Sequence, residues 1–293
     1  MPPPDDEGRR RRLLSVLCLL CLTQACAGQI RDGGGIGVRE SNVRLQTSLT
    51  AALQGTAASA VVLRLSDGRV LARSGAEQPA SPGSTLKPLL LSWALRHGIV
   101  QPGTKVFCSR SLQVGAHRLA CTHPSDQATF TARSALAESC NTYFAALGMR
   151  MRGSDLESAL RSTHLPHADA TSDKPEQREL TALGLSAVTA TPTQLAQAYR
   201  ELILHEDQHG PVILGLADSV AFGMADPART EGFELLGKTG TATDLIGRRT
   251  HGWFAGALPG SMVIVLYLPD GGGGAAAAMA GAFFRTALAT GKR

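Results

Sequence analysis

Aromatic residues are scarce in this chain: eight Phe, three Tyr and two Trp, 4% of 293 residues. A core must therefore rest on Leu, Val and Ala. No Lys/Arg stripe with interleaved aromatics occurs, which excludes the usual nucleic-acid surface despite a formal charge of +5 and a pI near 9.1. The mild positive excess suits an anionic cell envelope instead. Long apolar runs are also missing. Leu13 to Leu22 is about ten residues long, too short for a bilayer core of ~30 Å, and no second such segment follows.

That short run sits in a recognisable context. Arg9 to Arg12 precede it and Ala25-Cys26-Ala27 follows, the small-x-small pattern of a secretory signal cleaved after Ala27. The chain is therefore expected to be exported, to the periplasm or cell envelope. Lipidation of Cys26 is an alternative that would tether the mature N-terminus to a membrane. Of six cysteines, Cys18, Cys21 and Cys26 belong to this leader. Cys108, Cys121 and Cys140 remain. Cys108 and Cys121 are close enough in sequence to close a small disulfide loop in an oxidising compartment. A metal reading would recruit His117 or His123, but the spacing matches no common zinc pattern. No metal ligand and no cofactor is assigned, and Cys140 reads as a small buried hydrophobe.

With 43% hydrophobic residues the chain can bury a sizeable core. Residues 28–45, with Gly33-Gly34-Gly35, read as a flexible tether, and 46–293 as the folded domain. Leu45 to Leu53 suggest a first helix. Ala60 to Leu65 and Arg69 to Ala72 flank Ser66-Asp67-Gly68, a hairpin signal. From residue 82 to about 205 the character turns helical, with helices expected over Leu89 to Leu95 and Ala135 to Met151. Loops are expected over 101–129 and 163–178. Thr191-Pro192-Thr193-Gln194 is a capping box with proline at the first helical position. Strands return at Phe233 to Thr241, Gly252 to Ala257 and Met262 to Leu268, followed by a small-residue helix from Ala275. The expected fold is α+β: a five-stranded antiparallel sheet, two strands from the start and three from the end, flanked by helices, with an inserted all-α subdomain.

Three short strings carry the chemistry: Ser84-Thr85-Leu86-Lys87, Ser139-Cys140-Asn141 and Lys238-Thr239-Gly240. Each alone is common by chance. In this order, with a helix after the first and a strand before the third, they describe serine acyl transfer with a lysine base. Ser84 follows Pro82-Gly83, which permits a sharp entry into a helix, and Lys87 lies one turn on. To take the serine proton, its pKa must fall from about 10.4 toward neutrality. Burial and a second positive charge, Lys238, would both push it down. Pro88 lacks an N–H, so it is tolerable only in a first helical turn, which also places Ser84 at the helix start.

These segments resemble the transpeptidase domain of penicillin-binding proteins, within the serine D,D-peptidase and β-lactamase-like superfamily. The likeness extends over roughly residues 46–290. It includes PGSTLKP at 82–88, SCNTYF at 139–144, VTATPTQLAQAYR at 188–200, GKTGTA at 237–242 and GWFAG at 252–256. The resemblance implies that Ser84 is acylated and Lys87 is the base. It implies that Ser139 relays a proton to the leaving amine and that Asn141 binds the substrate peptide. Lys238 would supply positive potential, while Thr239 and Thr241 would receive the terminal carboxylate. Gly240 would leave room for substrate along the strand, and the backbone N–H groups of Ser84 and Thr241 would form an oxyanion hole. Trp253 is expected to pack beneath the site.

The implied partners are D-Ala-D-Ala stem peptides of peptidoglycan and β-lactam antibiotics, with a cell-wall protein partner left open. Only about 55 residues separate Ala27 from Ser84, leaving no room for a pedestal or glycosyltransferase domain. A stand-alone carboxypeptidase or transpeptidase, or a partner-dependent one, is expected. Two alternatives remain. A class D type serine β-lactamase is disfavoured by Asn141, where Val is usual. A class A enzyme would need Glu176 or Glu179 as deacylation base. The other alternative is a muropeptide or β-lactam sensor with little turnover.

Overall fold

A computed structural model describes residues 33–123, 126–243 and 250–289. The leader, its cleavage site and Cys26 lie outside the described residues. Internal contacts divide the chain into two units, Met1–Ser41 and Asn42–Arg293. The first helix, α1, runs Gly33–Leu53. Residues 33–45, expected as tether, are thus helical.

The hairpin falls at its Asp-Gly signal. β1 (Ser59–Arg64) and β2 (Val70–Ser74) pair antiparallel, and Asp67 Oδ1 accepts the Arg69 N–H at 3.0 Å. A 3-10 turn at Gly83–Leu86 leads into α2 (Lys87–Arg96). Four short strands follow: β3 (Val106–Phe107), β4 (Ser111–Val114), β5 (His117–Ala120) and β6 (Thr129–Phe130). β3 pairs with β6 and β4 with β5, each as a two-stranded sheet. Residues 101–129 are therefore not all loop, and the insertion is not all-α.

Next come α3 (Ala132–Ala137), α4 (Asn141–Arg150), α5 (Gly153–Thr163), α6 (Pro175–Ala182), α7 (Pro192–His205) and α8 (Pro211–Ala221). The helix expected from Ala135 to Met151 is broken at Glu138–Cys140, where Ser139 adopts φ 56°. That left-handed conformation cannot continue a right-handed helix. The insertion also runs past the expected residue 205 to include α8. α7 starts as its sequence predicts: Thr191 Oγ1 accepts the Gln194 N–H at 3.3 Å, and Gln194 Oε1 accepts the Thr191 N–H at 3.0 Å.

β7 (Leu236–Thr243), β8 (Thr250–Leu258), β9 (Met262–Leu268) and α9 (Gly273–Leu288) complete the chain. The sheet has the order β2-β1-β9-β8-β7, all neighbours antiparallel, so β7 is an edge strand. Strand periodicity splits the core in two. Val263, Val265 and Tyr267 join Trp253 and the buried residues of α2, α4 and α7. Ile264 and Leu266 join Phe254, Leu45, Leu49 and the α9 residues Phe283 and Phe284. Both faces of the central strands are covered, which explains why β9 is apolar throughout. Each fully buried Leu, Val or Phe there contributes roughly 1.5–3 kcal/mol. Among the described residues no helix is long and apolar enough to cross a membrane.

Candidate active site

The turn carrying Ser84 is fixed on several sides. Gly83 has φ 53°, and a Cβ there would lie 2.6 Å from the Thr241 carbonyl oxygen, so only glycine lets the turn lie against β7. The Gly83 N–H donates to Gly184 O at 3.0 Å, and Thr85 Oγ1 donates to Pro82 O at 2.7 Å. Tyr199 OH reaches Thr85 O at 2.7 Å from α7. Trp253 Nε1 donates to Ser81 O at 2.9 Å, and His251 Nε2 lies 2.9 Å from the same oxygen. Trp253 is fully buried against Tyr267, so it packs beneath the site as expected.

Because Ser84 lies in a 3-10 turn, with three residues per turn, Ser84 and Lys87 eclipse on one side. Pro88 is in the first turn of α2, where its missing N–H costs nothing, and the Lys87 N–H bonds Ser84 O.

Lys87 is wholly buried. Its Nζ donates to Asn141 Oδ1 at 2.7 Å, Ser139 O at 2.9 Å and Ser139 Oγ at 3.3 Å, and sits 5.0 Å from the Phe144 ring centre. Burial lowers its pKa to about 7, against an opposing pull from the Cys140 and Cys121 sulfurs. Desolvation therefore does most of what the sequence reading shared between burial and Lys238. Lys238 is also wholly buried, and its Nζ donates to Thr239 O at 3.0 Å. Its pKa is pushed well below the usual lysine value by burial first and by Lys87 second.

A cleft of about 410 Å³ joins the pieces. Ser84, Ser139, Asn141, Thr239 and Thr241 all line it, with Leu119, Leu183 and Met224 among the apolar walls. Asn141 is held at both ends of its amide, since Nδ2 donates to Ala120 O at 2.8 Å while Oδ1 faces Lys87. Thr241 is exposed, and its Oγ1 accepts the Gly273 N–H at 3.0 Å at the start of α9. Gly240 approaches the nucleophile segment closely; a Cβ there would lie 2.5 Å from Pro82 O. Lys87 and Lys238 lie behind the cleft wall and do not line it.

Sequence reasoning missed the wall from β5 and the α6 end, because isolated apolar residues in a loop-rich stretch carry no periodic signal. Tyr199 was legible only as a core position. No described carboxylate lines the cleft, and Glu176 and Glu179 of α6 stand outside it.

The cysteines differ from expectation. No disulfide joins Cys108 and Cys121; all three are buried free thiols. Cys121 Sγ instead lies 4.0 Å from Cys140 Sγ, and Cys108 Sγ lies 3.5 Å from His123 Nε2.

A search of curated proteins gives no match. Solved structures give many, at low identity. A D,D-transpeptidase domain of a peptidoglycan glycosyltransferase from Eggerthella lenta superposes with TM-score 0.71 at 19% identity, covering 84% of this chain and 81% of that one. The transpeptidase domain of Burkholderia pseudomallei penicillin-binding protein 3 gives TM-score 0.71 at 19% identity, covering 86% and 93%. A peptidoglycan glycosyltransferase from Burkholderia ambifaria gives 0.70 at 20%, covering 86% and 95%. These likenesses establish the fold. The family model of the penicillin binding protein transpeptidase domain matches residues 54–289, which hold all five strands of the sheet, the whole insertion and the three motifs, and the chain belongs to that family.

Proposed function

We propose that this protein is a serine acyltransferase acting on D-Ala-D-Ala stem peptides of peptidoglycan, as D,D-transpeptidase or D,D-carboxypeptidase, and that β-lactams acylate the same serine. The observation that carries the reading is a buried lysine whose pKa is lowered to about 7, hydrogen-bonded to Ser139 and Asn141 beside the Ser84 turn.

In this reaction Ser84 Oγ attacks the penultimate D-Ala carbonyl and its proton passes to neutral Lys87. An ammonium has three protons and Lys87 has three acceptors; the neutral amine gives up one contact and gains a lone pair. The contact to give up is the longest, to Ser139 Oγ. Ser139 then takes the proton from Lys87 and hands it to the departing amine. The Ser84 and Thr241 N–H groups stabilise the oxyanion. The peptide docks as an added strand along the free edge of β7, with its carboxylate near Thr239 and Thr241 and its peptide group on Asn141. Lys238 adds positive potential from behind the strand. The chemistry takes place in the cell envelope after export.

The test is intact mass after β-lactam exposure, followed over hours, together with D-alanine release from a pentapeptide ending in D-Ala-D-Ala. A stable adduct mapped to Ser84 and released D-alanine are expected. Rapid β-lactam turnover, or an adduct that survives Ser84→Ala, sinks the assignment.

A further inference from the structure

The three cysteines that remain after the leader meet at one point with His123. The Sγ atoms of Cys108, Cys121 and Cys140 and a ring nitrogen of His123 all lie within 4.8 Å of one another, and all four residues are buried. They arrive from three places: Cys108 after β3, Cys121 and His123 after β5, and Cys140 from the break between α3 and α4.

We propose that Cys108, Cys121, His123 and Cys140 form a tetrahedral zinc site, which holds the Ser139–Asn141 segment in its active geometry. The spacing fits the ion. Zn–S bonds of about 2.3 Å and Zn–N bonds of about 2.0–2.1 Å at tetrahedral angles set S···S edges of about 3.8 Å and S···N edges of about 3.5 Å. The Cys121–Cys140 and Cys108–His123 separations are 4.0 and 3.5 Å. A disulfide needs about 2.05 Å and uses only two sulfurs, whereas a metal ion would use all three thiols and the imidazole together. Three soft donors and one nitrogen select zinc over hard, oxygen-seeking cations.

The surroundings supply outer hydrogen bonds of the kind that orient metal ligands. The Arg110 N–H points at Cys108 Sγ at 3.4 Å, from a residue with φ 64°. Thr142 Oγ1 lies 3.5 Å from Cys108 Sγ and 3.6 Å from Cys121 Sγ. Arg110 Nη1 donates to His123 O at 2.9 Å.

The fold gives such a site a task. β3 and β6 are two residues long, and β4 is mostly exposed, so residues 106–130 bury little of their own. Small, poorly cored segments commonly depend on a metal or a disulfide. Cys140 lies between Ser139 and Asn141, and Ala120, beside Cys121, accepts from Asn141 Nδ2. An ion here would join the cleft wall to the second motif. The metal claim stands apart from the proposed reaction; only its effect on acylation rests on that reading.

The test starts with full-length protein, purified without chelators, and its zinc content by mass spectrometry. About one zinc per chain is expected. Cobalt added to chelator-stripped protein should give thiolate charge-transfer bands and the visible bands of a tetrahedral ion. His123→Ala should weaken metal affinity at least about tenfold, and Cys121→Ser should abolish the charge-transfer pattern of the complete site. If these variants fail to fold, stripped wild-type protein still decides the matter: its melting temperature should fall and recover with zinc. Loss and recovery of β-lactam labelling in step would support the positioning role. Labelling indifferent to zinc would overturn that role alone. Wild-type protein that is metal-free, gives no cobalt bands, or carries a Cys121–Cys140 disulfide by mass would overturn the site.

Discussion

The two walls of the cleft are built on different principles. One is β7, eight residues paired along their length with β8 and backed on both sheet faces by buried apolar residues. The other is the stretch from β3 to α4, made of two-residue strands, an exposed hairpin and a broken helix. Thr239 and Thr241, the groups proposed to receive substrate, are on the rigid wall. Ser139 and Asn141, which bond Lys87, are on the other, at a break between two well-buried helices and beside its lightly cored strands. A strand ladder fixes a binding edge cheaply, because each residue adds its own hydrogen bonds. A serine held at φ 56° has no such repeating support and depends on its contacts with Lys87 and on the flanking cluster.

The comparison breaks most directly at the base. Lys87→Ala should cut β-lactam labelling by on the order of a thousandfold or more, as loss of a catalytic base does. Its melting temperature should fall, since truncation opens a cavity and leaves Ser139 O and Asn141 Oδ1 without their buried donor. Labelling at the wild-type rate would mean that Lys87, which Ser139 and Asn141 bond, is not the base.

Next in size is pH. Only neutral Lys87 accepts a proton, and its pKa is about 7. The acylation rate should climb with pH through 7 and fall about tenfold per unit well below it. A profile flat from pH 5 to pH 9 (a range spanning about two units on each side,) would point to another base.

Gly83→Ala tests the seam between nucleophile turn and rigid wall. Its Cβ would meet the Thr241 carbonyl at 2.6 Å, at a φ of 53°. A loss of about 1–3 kcal/mol in denaturant unfolding is expected, with slower labelling. Hydrogen exchange then sharpens the contrast: amides of β3 and β6 should exchange on the order of a hundredfold faster than those of β8. Smallest is Trp253→Phe, which removes the bond to Ser81 O and should cost about 1 kcal/mol.

Much of the rigid wall was legible in sequence. The Asp-Gly turn and the apolar runs of β8 and β9 are local signals from which the sheet formed, as the capping box at Thr191 is for α7. The lightly cored wall was not. Residues 135–151 have helical composition, yet the helix breaks at Ser139 because its backbone is set by Lys87, 52 residues away. The short strands at 106–130 lie below the length at which periodicity is readable. The spacing of Cys108, Cys121, His123 and Cys140 matches no common zinc pattern for a related reason: such patterns weigh ligands close in sequence, while Cys140 arrives from a different element than the other three.

The sequence alone determined the identities and order of the candidate reacting groups, because a serine, an amine one turn later and a Lys-Thr-Gly strand are local chemistry. It also determined the sheet, through the Asp-Gly hairpin signal and the apolar runs that become buried strands. Tertiary structure decided what those groups can do. Lysine's pKa depends on how completely packing excludes water, and four sulfur and nitrogen donors become a ligand set only when distant backbones converge. Neither dehydration nor convergence is a property of neighbouring residues.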